Sequence, residues 1–191
     1  ARLVTRPVRV DPVLDRIGQR GRDHEARFLD DRRAEGLSIA DLSSESPDDP
    51  LTRYTRGCEA TLAAMRSGVD LIYQAVLFDG VRLGFADFLR KVALPSNLGN
   101  WSYEVWDTKL ARHPKASAVL QIAMYSDMVA ELQGIPPQQM HLALGGVAQE
   151  TVSYRVSDYA AYYRMVAREL EHELASGAPS LPLPTYPAPV G

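Results

Sequence analysis

A ten-residue stretch, 101–110, carries the residues whose types and spacing best suit chemistry. It is rich in aromatic and β-branched side chains and follows the turn signal Gly99-Asn100, so it predicts a β-strand. Because strand side chains alternate between faces, Asp107 and Lys109 point the same way. A carboxylate and an ammonium on an otherwise apolar strand face carry a desolvation cost. They therefore indicate either a half-buried structural salt bridge or a catalytic pair.

A further acidic residue, Asp87, interrupts the apolar run of the preceding predicted strand. Two carboxylates on neighbouring strands repel each other unless a cation lies between them. Oxygen ligands of this kind suit Mg²⁺ or Mn²⁺, and the backbone carbonyl of Thr108 could add another oxygen. Lys109 could orient an attacking water or stabilise negative charge on a phosphoryl group. Together these residues predict metal-dependent hydrolysis of a phosphodiester bond.

The elements that would hold these residues follow from periodicity and turn signals. Predicted helices cover residues 12–35, 50–67, 115–133 and 157–175. Predicted strands cover residues 37–40, 70–78, 81–92, 101–110, 141–144 and 151–156. Gly18 and Gly21 are expected to break the first helix in two, and Ser157 is expected to be the N-cap of the last.

The order of these elements predicts the fold. Asp79-Gly80 is a hairpin signal, so the three strands between residues 70 and 110 are expected to be consecutive and antiparallel. Helices on either side of them predict an α/β fold with a three-layer core, in which helices flank a small mixed central sheet. We expect one domain, residues 1–176, followed by a Pro-rich linker at 177–191.

Charge and composition limit the class of protein. The chain has 191 residues and a net charge of -3, which argues against sequence-blind nucleic-acid binding through a wide basic face. Local binding of a phosphate through metal ions is still compatible with that charge. Only three of the 21 basic residues are lysines, so a lysine two residues after Asp107 is less of a coincidence.

Cysteine usage and hydropathy bear on location. The single cysteine, Cys58, excludes an iron–sulfur cluster or a disulfide built within this chain, and it fits a reducing cytoplasm. No apolar run approaches the ~18–20 residues of a membrane span. The first ten residues are Arg-rich and lack the apolar segment of a signal peptide. We therefore expect a cytoplasmic protein without a membrane partner.

Three motifs together resemble a known enzyme family. Asp87, followed about twenty residues later by Asp107-Thr108-Lys109, resembles the signature of the PD-(D/E)XK nucleases. The segment Gln121-Ile122-Ala123-Met124-Tyr125 is similar to the QxxxY motif of the RecB-like branch, and Gly21-Arg22-Asp23-His24-Glu25 is similar to its upstream G…H(E) motif. The run 103–118 looks like a bacterial group of RecB-like nucleases that are often joined to helicase segments. The resemblance spans roughly residues 18–175.

The resemblance implies a restriction-endonuclease-like core and a role for each motif residue. His24, Asp87, Asp107 and Thr108 would hold Mg²⁺ or Mn²⁺, and Lys109 would be the catalytic lysine. Gln121 and Tyr125 would lie beside the site and contact DNA or orient the lysine. Glu25 follows His24 by one position, about 100° around the helix, so we expect it in a supporting or solvent-facing position.

The expected function is that of a metal-dependent deoxyribonuclease in DNA repair, recombination or helicase-coupled end processing. Single-stranded DNA or DNA ends are the partner that the resemblance implies, with a helicase as a further one. Many RecB-like nucleases bind an iron–sulfur cluster through four cysteines, a pattern that this chain lacks. Two alternatives stay open: a nucleic-acid-binding module whose chemistry is dispensable, and an unrelated α/β domain with a structural Asp–Lys pair.

Overall fold

Six strands and four helices make up the part of the chain that the computed structural model describes, residues 12–43, 49–145 and 150–176. The strands are β1 Ile39–Asp41, β2 Leu71–Phe78, β3 Leu83–Val92, β4 Ser102–Lys109, β5 Gln139–Leu144 and β6 Thr151–Arg155. The helices are α1 Pro12–Ala34, α2 Pro50–Ser67, α3 Ala116–Gln133 and α4 Val156–Ser176. The predicted linker at 177–191 lies outside the described residues.

The strands form one mixed sheet in the order β1-β2-β3-β4-β5-β6. Strands β2, β3 and β4 pair antiparallel, as predicted, because short turns join them. Strands β1 and β2, and likewise β4 and β5, pair parallel, and helices α2 and α3 make the connections that parallel pairing requires. The predicted mixed sheet is thus confirmed.

The helices lie in two layers around the sheet, which confirms the predicted three-layer α/β core. Helices α2, α3 and α4 contribute to one large apolar core with the sheet, whereas Phe28 and Leu29 of α1 pack on Leu71 and Phe88 in a second, smaller cluster. Strand β4 alternates as expected. Its odd-numbered residues 103 and 105 belong to the large core, and Trp106 packs against the smaller cluster.

Local signals set the limits of α2 as predicted. The Asp49 carboxylate accepts hydrogen bonds from the backbone N–H groups of Leu51 and Thr52, which is the usual role of an N-cap. At the other end, Gly68 adopts a left-handed conformation with φ 71°. The helix therefore begins at Pro50 and ends at Ser67, the predicted bounds.

Two local predictions were wrong. Helix α1 runs without interruption through Gly18 and Gly21, because a single glycine costs only about 1 kcal/mol, which is too little to interrupt a helix of 23 residues. Ser157 is not the N-cap of α4, since the helix already begins at Val156, directly after β6. The Val156 N–H donates to the Gln138 carbonyl, and the Ser157 hydroxyl donates to the Asp158 carboxylate instead.

The strand directions bring the ends of β2, β3, β4 and β5 together at one end of the sheet. Phe78 and Leu83 lie there as register partners, and so do Lys109 and Leu144. We call this the site end of the sheet. The regular pairing of β3 with β4 stops at Phe88 and Trp106, so the strands continue toward the site end without further ladder pairs. That leaves room between them for polar side chains.

A phase shift in the side-chain alternation of β2 and β3 occurs near the point where the β3–β4 ladder ends. On β2, both Ile72 and Ala75 belong to the large core, and on β3 both Ala86 and Leu89 do. Core-facing residues three positions apart do not fit the period of two, so the face changes between them. Gln74, with φ 55°, marks the shift on β2. Neither Gln74 nor Asp87 takes part in the ladder.

Candidate active site

Asp107 and Lys109 form an ion pair at the site end of the sheet. The Asp107 side chain is 1% exposed, and its Oδ2 contacts the Lys109 ammonium. That oxygen accepts no well-oriented hydrogen bond from any described residue. A buried carboxylate oxygen normally accepts several hydrogen bonds, so Asp107 has unused capacity to bind a donor or a cation.

Asp87 is held by Thr108 on the neighbouring strand. Its Oδ2 accepts hydrogen bonds from the Thr108 N–H and from the Thr108 hydroxyl, each 2.7 Å long. The N–H would otherwise point toward β3, where the ladder has ended. The carboxylate thus takes the place of a backbone partner and is fixed in orientation through one oxygen. Asp87 and Asp107 thus lie on adjacent strands, as predicted.

Glu25 on α1 reaches the same end of the sheet. The Gln74 side-chain amide donates a hydrogen bond to its carboxylate, and the Tyr73 hydroxyl is a second donor. Both donors come from β2, at and next to the phase shift. The half-buried Glu25 carboxylate therefore lies inside the site. Of the two positions that we expected for it, supporting or solvent-facing, the solvent-facing one is wrong.

The carboxylates affect one another electrostatically. Burial, followed by the charge of Asp87, raises the pKa of Asp107 from its ordinary value of 3.8 to about 7, although Lys109 opposes the shift. Burial and then the charge of Asp87 also raise the pKa of Glu25. The single ammonium of Lys109 cannot neutralise three acidic groups, so the site favours an additional proton or cation.

Gln121 and Tyr125 of α3 form a second polar unit next to the carboxylates. The Gln121 side-chain amide donates to the Tyr125 hydroxyl over 2.8 Å, and the Phe85 N–H donates to the same oxygen. Burial raises the pKa of Tyr125, and the charges of Asp107 and Asp87 add to this. The ring lies on Gly84, where a Cβ atom would be only 2.5 Å from Tyr125 Cε1. The motif thus bridges α3 to β3 just before Asp87.

His24 is buried against β5, the strand next to β4. Its Nε2 lies 3.3 Å from the Ala143 carbonyl oxygen, and Ala143 is the register partner of Thr108. Because a carbonyl can only accept, this contact requires the proton on Nε2 and leaves Nδ1 as the acceptor of the neutral ring. The described contacts therefore join His24 to β5, whereas its neighbour Glu25 is the α1 residue whose charge acts on Asp87 and Asp107.

The structure thus gathers Asp87, Asp107, Thr108 and Lys109 at one place, with Gln121 and Tyr125 beside them. Within the described residues, no three His, Cys, Asp or Glu side chains already have the close spacing of metal ligands. The residue that sequence reasoning undervalued is Glu25. A polar residue inside the otherwise apolar strand 70–78, Gln74, was the available signal for a buried partner.

Comparison with known proteins leaves the family open. No protein-family model matches the chain, and no curated protein matches it either. The RecB-like resemblance therefore stays a prediction that depends on the motif residues alone. Among the helices in the described ranges, none combines the length and apolar character needed to cross a membrane.

Proposed function

We propose that this chain is a divalent-metal-dependent nuclease domain that hydrolyses phosphodiester bonds in DNA. One observation carries the proposal: the buried Asp107 carboxylate contacts a single cation among the described residues, the Lys109 ammonium, while the charges of two further carboxylates act on it. Acidic groups crowded in this way, with too little positive charge around them, are typical of sites that bind a hard cation.

The donor set fits Mg²⁺ or Mn²⁺, both of which prefer oxygen ligands. Asp107 supplies Oδ2, for which the described residues offer the Lys109 ammonium as partner, and Asp87 supplies a carboxylate that Thr108 already orients. Glu25 is a third candidate ligand, and His24 and the Thr108 carbonyl are those that the family resemblance adds. When bound, the metal would polarise the phosphoryl oxygen and lower the pKa of a bound water.

Lys109 has two tasks in this proposal. Without substrate, its ammonium pairs with Asp107 and limits the repulsion among the acidic groups. With substrate, the same ammonium stabilises negative charge that develops on the phosphate, or holds the attacking water. A lysine suits both tasks because its charge is compact and its stem is flexible, so it can leave the carboxylate for the phosphate.

Gln121 and Tyr125 act as positioning residues. Tyr125 is 5% exposed, so its ring serves as a fixed support. Gln121 lines an open groove that begins next to Lys109, and Tyr125 does not line it. The hydrogen bond between them sets the direction of the Gln121 amide. In our proposal this amide contacts the DNA backbone or limits the positions that Lys109 can adopt.

The wider setting of the proposal follows from the family resemblance. It includes single-stranded DNA or DNA ends as substrate, a helicase as partner, and work in repair or recombination. The single cysteine, Cys58, is free and supports placement in the cytoplasm, where thiols stay reduced.

Cleavage of end-labelled single- and double-stranded DNA in Mg²⁺, Mn²⁺ or EDTA tests the proposal. We expect cleavage that needs metal and that falls by about 10²–10³ in Lys109→Ala. Lys91→Ala is the matched control, since Lys91 is also paired with an aspartate, Asp70, but lies away from the site end. Circular dichroism shows whether each variant is folded.

The outcomes separate the proposal from its rivals. Metal-dependent cleavage that Lys91→Ala retains and Lys109→Ala loses supports it. Equal cleavage by wild type and Lys109→Ala contradicts it. If folded wild-type protein binds DNA but neither cleaves it nor binds Mn²⁺ in calorimetry, the binding-module alternative replaces the proposal. If it binds neither DNA nor metal, the Asp–Lys pair is structural.

A further inference from the structure

A groove of about 330 Å³ continues from Lys109 along the first turn of α3. Lys109 and Gln121 lie at its catalytic side, and His113, Lys115 and Ser117 line the remainder. The volume lies at the lower limit for pockets that bind small ligands, so it suits one nucleotide unit and not a large cofactor. The groove and the proposed catalytic site share Lys109, so a ligand could occupy both.

Of the two lysines that line this groove, Lys109 pairs with Asp107, whereas Lys115 has no ion-pair partner within the described residues. Lys115 and His113 are exposed, and within the described ranges neither makes an ion pair, while no aspartate or glutamate lines the groove. By contrast, Lys91 pairs with Asp70, and Arg82 pairs with three carboxylates. In a chain with a net charge of -3, a groove lined by two lysines and uncharged residues, without an acidic residue, favours an anion.

Beside apolar side chains such as Leu110 and Pro114, the groove contains uncharged hydrogen-bond donors of the kind that phosphates accept. The Ser117 hydroxyl and the Gln121 amide line it together with the two lysines. Lysine is a common phosphate ligand because its compact charge needs no fixed orientation. The first turn of α3 has no side-chain cap, so the helix dipole adds positive potential of the same sign.

We propose that this groove is a second phosphate subsite, which binds the phosphate next to the one that is cleaved. The inference depends on the proposed function, because it defines the substrate as a strand with at least two consecutive phosphates. One phosphate lies at Asp107 and Lys109, and its neighbour lies between Lys115 and Ser117. A diester with a single phosphate would occupy only the first position.

Direct binding in EDTA tests the subsite without any cleavage. The probe is a fluorescein-labelled single-stranded oligonucleotide, with a 5′-phosphate or a 5′-hydroxyl, followed by anisotropy at several salt concentrations. We expect Lys115→Ala to weaken binding about 3- to 10-fold and to reduce the salt slope by about 0.7, the value for one lost phosphate contact on a single strand. Arg66→Ala, which removes an exposed charge at the far end of α2, should bind like wild type.

Each result has one meaning. A loss in Lys115→Ala with both oligonucleotides supports a subsite for an internal phosphate, and a loss confined to the 5′-phosphorylated one supports a subsite for a terminal phosphate. Equal losses in Lys115→Ala and Arg66→Ala indicate diffuse attraction and overturn the inference. Unchanged binding in Lys115→Ala, or no binding by wild type, also overturns it.

Hydrolysis of bis(p-nitrophenyl) phosphate with Mn²⁺ keeps this inference separate from the proposed nuclease. That substrate has one phosphate, so Lys115→Ala should hydrolyse it like wild type while its KM for oligonucleotides rises about 5- to 10-fold and kcat stays the same. If wild type hydrolyses neither substrate but Lys115→Ala still binds DNA less well, the subsite stands and the nuclease proposal fails.

Discussion

Replacing Asp107 by asparagine tests whether this carboxylate is as strongly desolvated as its surroundings imply. Burial, and then the charge of Asp87, raise the pKa of Asp107 from 3.8 to about 7. Because its pKa is higher in the folded than in the unfolded state, the folded protein binds this proton more tightly. The resulting stabilisation is complete below about pH 3.8 and is lost as the pH rises through about 7.

The magnitude follows from the difference between the two pKa values. Each pKa unit corresponds to about 1.4 kcal/mol, so about three units amount to roughly 4 kcal/mol over the whole titration. Between pH 5 and pH 8, metal-free wild type should lose about 2–3 kcal/mol of unfolding free energy through Asp107. Asp107→Asn has nearly the shape of the protonated acid and no proton to lose. Relative to wild type it should therefore gain about that amount over the same pH range.

Urea unfolding in EDTA at pH 5 and pH 8 measures the effect. Asp30→Asn is the control, because Asp30 forms an exposed ion pair with Arg33 on α1, and such pairs contribute little. Adding Mn²⁺ at pH 8 should stabilise wild type and not Asp107→Asn, since the cation takes the place of the proton. The same pH dependence in wild type and Asp107→Asn would refute the reasoning, because it would mean that the folded protein ionises this carboxylate at no cost.

Two other predictions concern the surroundings of the carboxylates. Glu25→Gln keeps an oxygen that can accept from Gln74 but removes the charge, so we expect the affinity for Mn²⁺ in calorimetry to fall about 10-fold without a fall in the Tm of the metal-free protein. A larger fall in affinity in His24→Gln would favour the ligand set of the RecB-like resemblance instead. Gly84→Ala would place a Cβ atom 2.5 Å from Tyr125 Cε1, so its unfolding free energy in urea should fall by about 1–3 kcal/mol. A Gly84→Ala variant as stable as wild type would show that the ring moves freely.

Much of the fold could be predicted because its signals are local. The cap at Asp49 and the left-handed Gly68 define α2 within the chain segment itself. The alternation along β4 likewise needs only the period of a strand, and it correctly places Asp107 on the face of the large core. The predictions at Gly18 and Ser157 failed because a local preference of about 1 kcal/mol is too small to decide a helix boundary alone.

The sequence by itself determined the types and order of the elements and the presence of Asp87, Asp107 and Lys109 on adjacent strands. Only the tertiary structure decided that the charge of Glu25 acts on these carboxylates, since this depends on how α1 lies across β2. It also decided that Lys115 opens onto the same groove as Lys109. The first relation joins residues far apart in the chain, and the second depends on the path of the chain between β4 and α3. No local period or propensity contains either geometry.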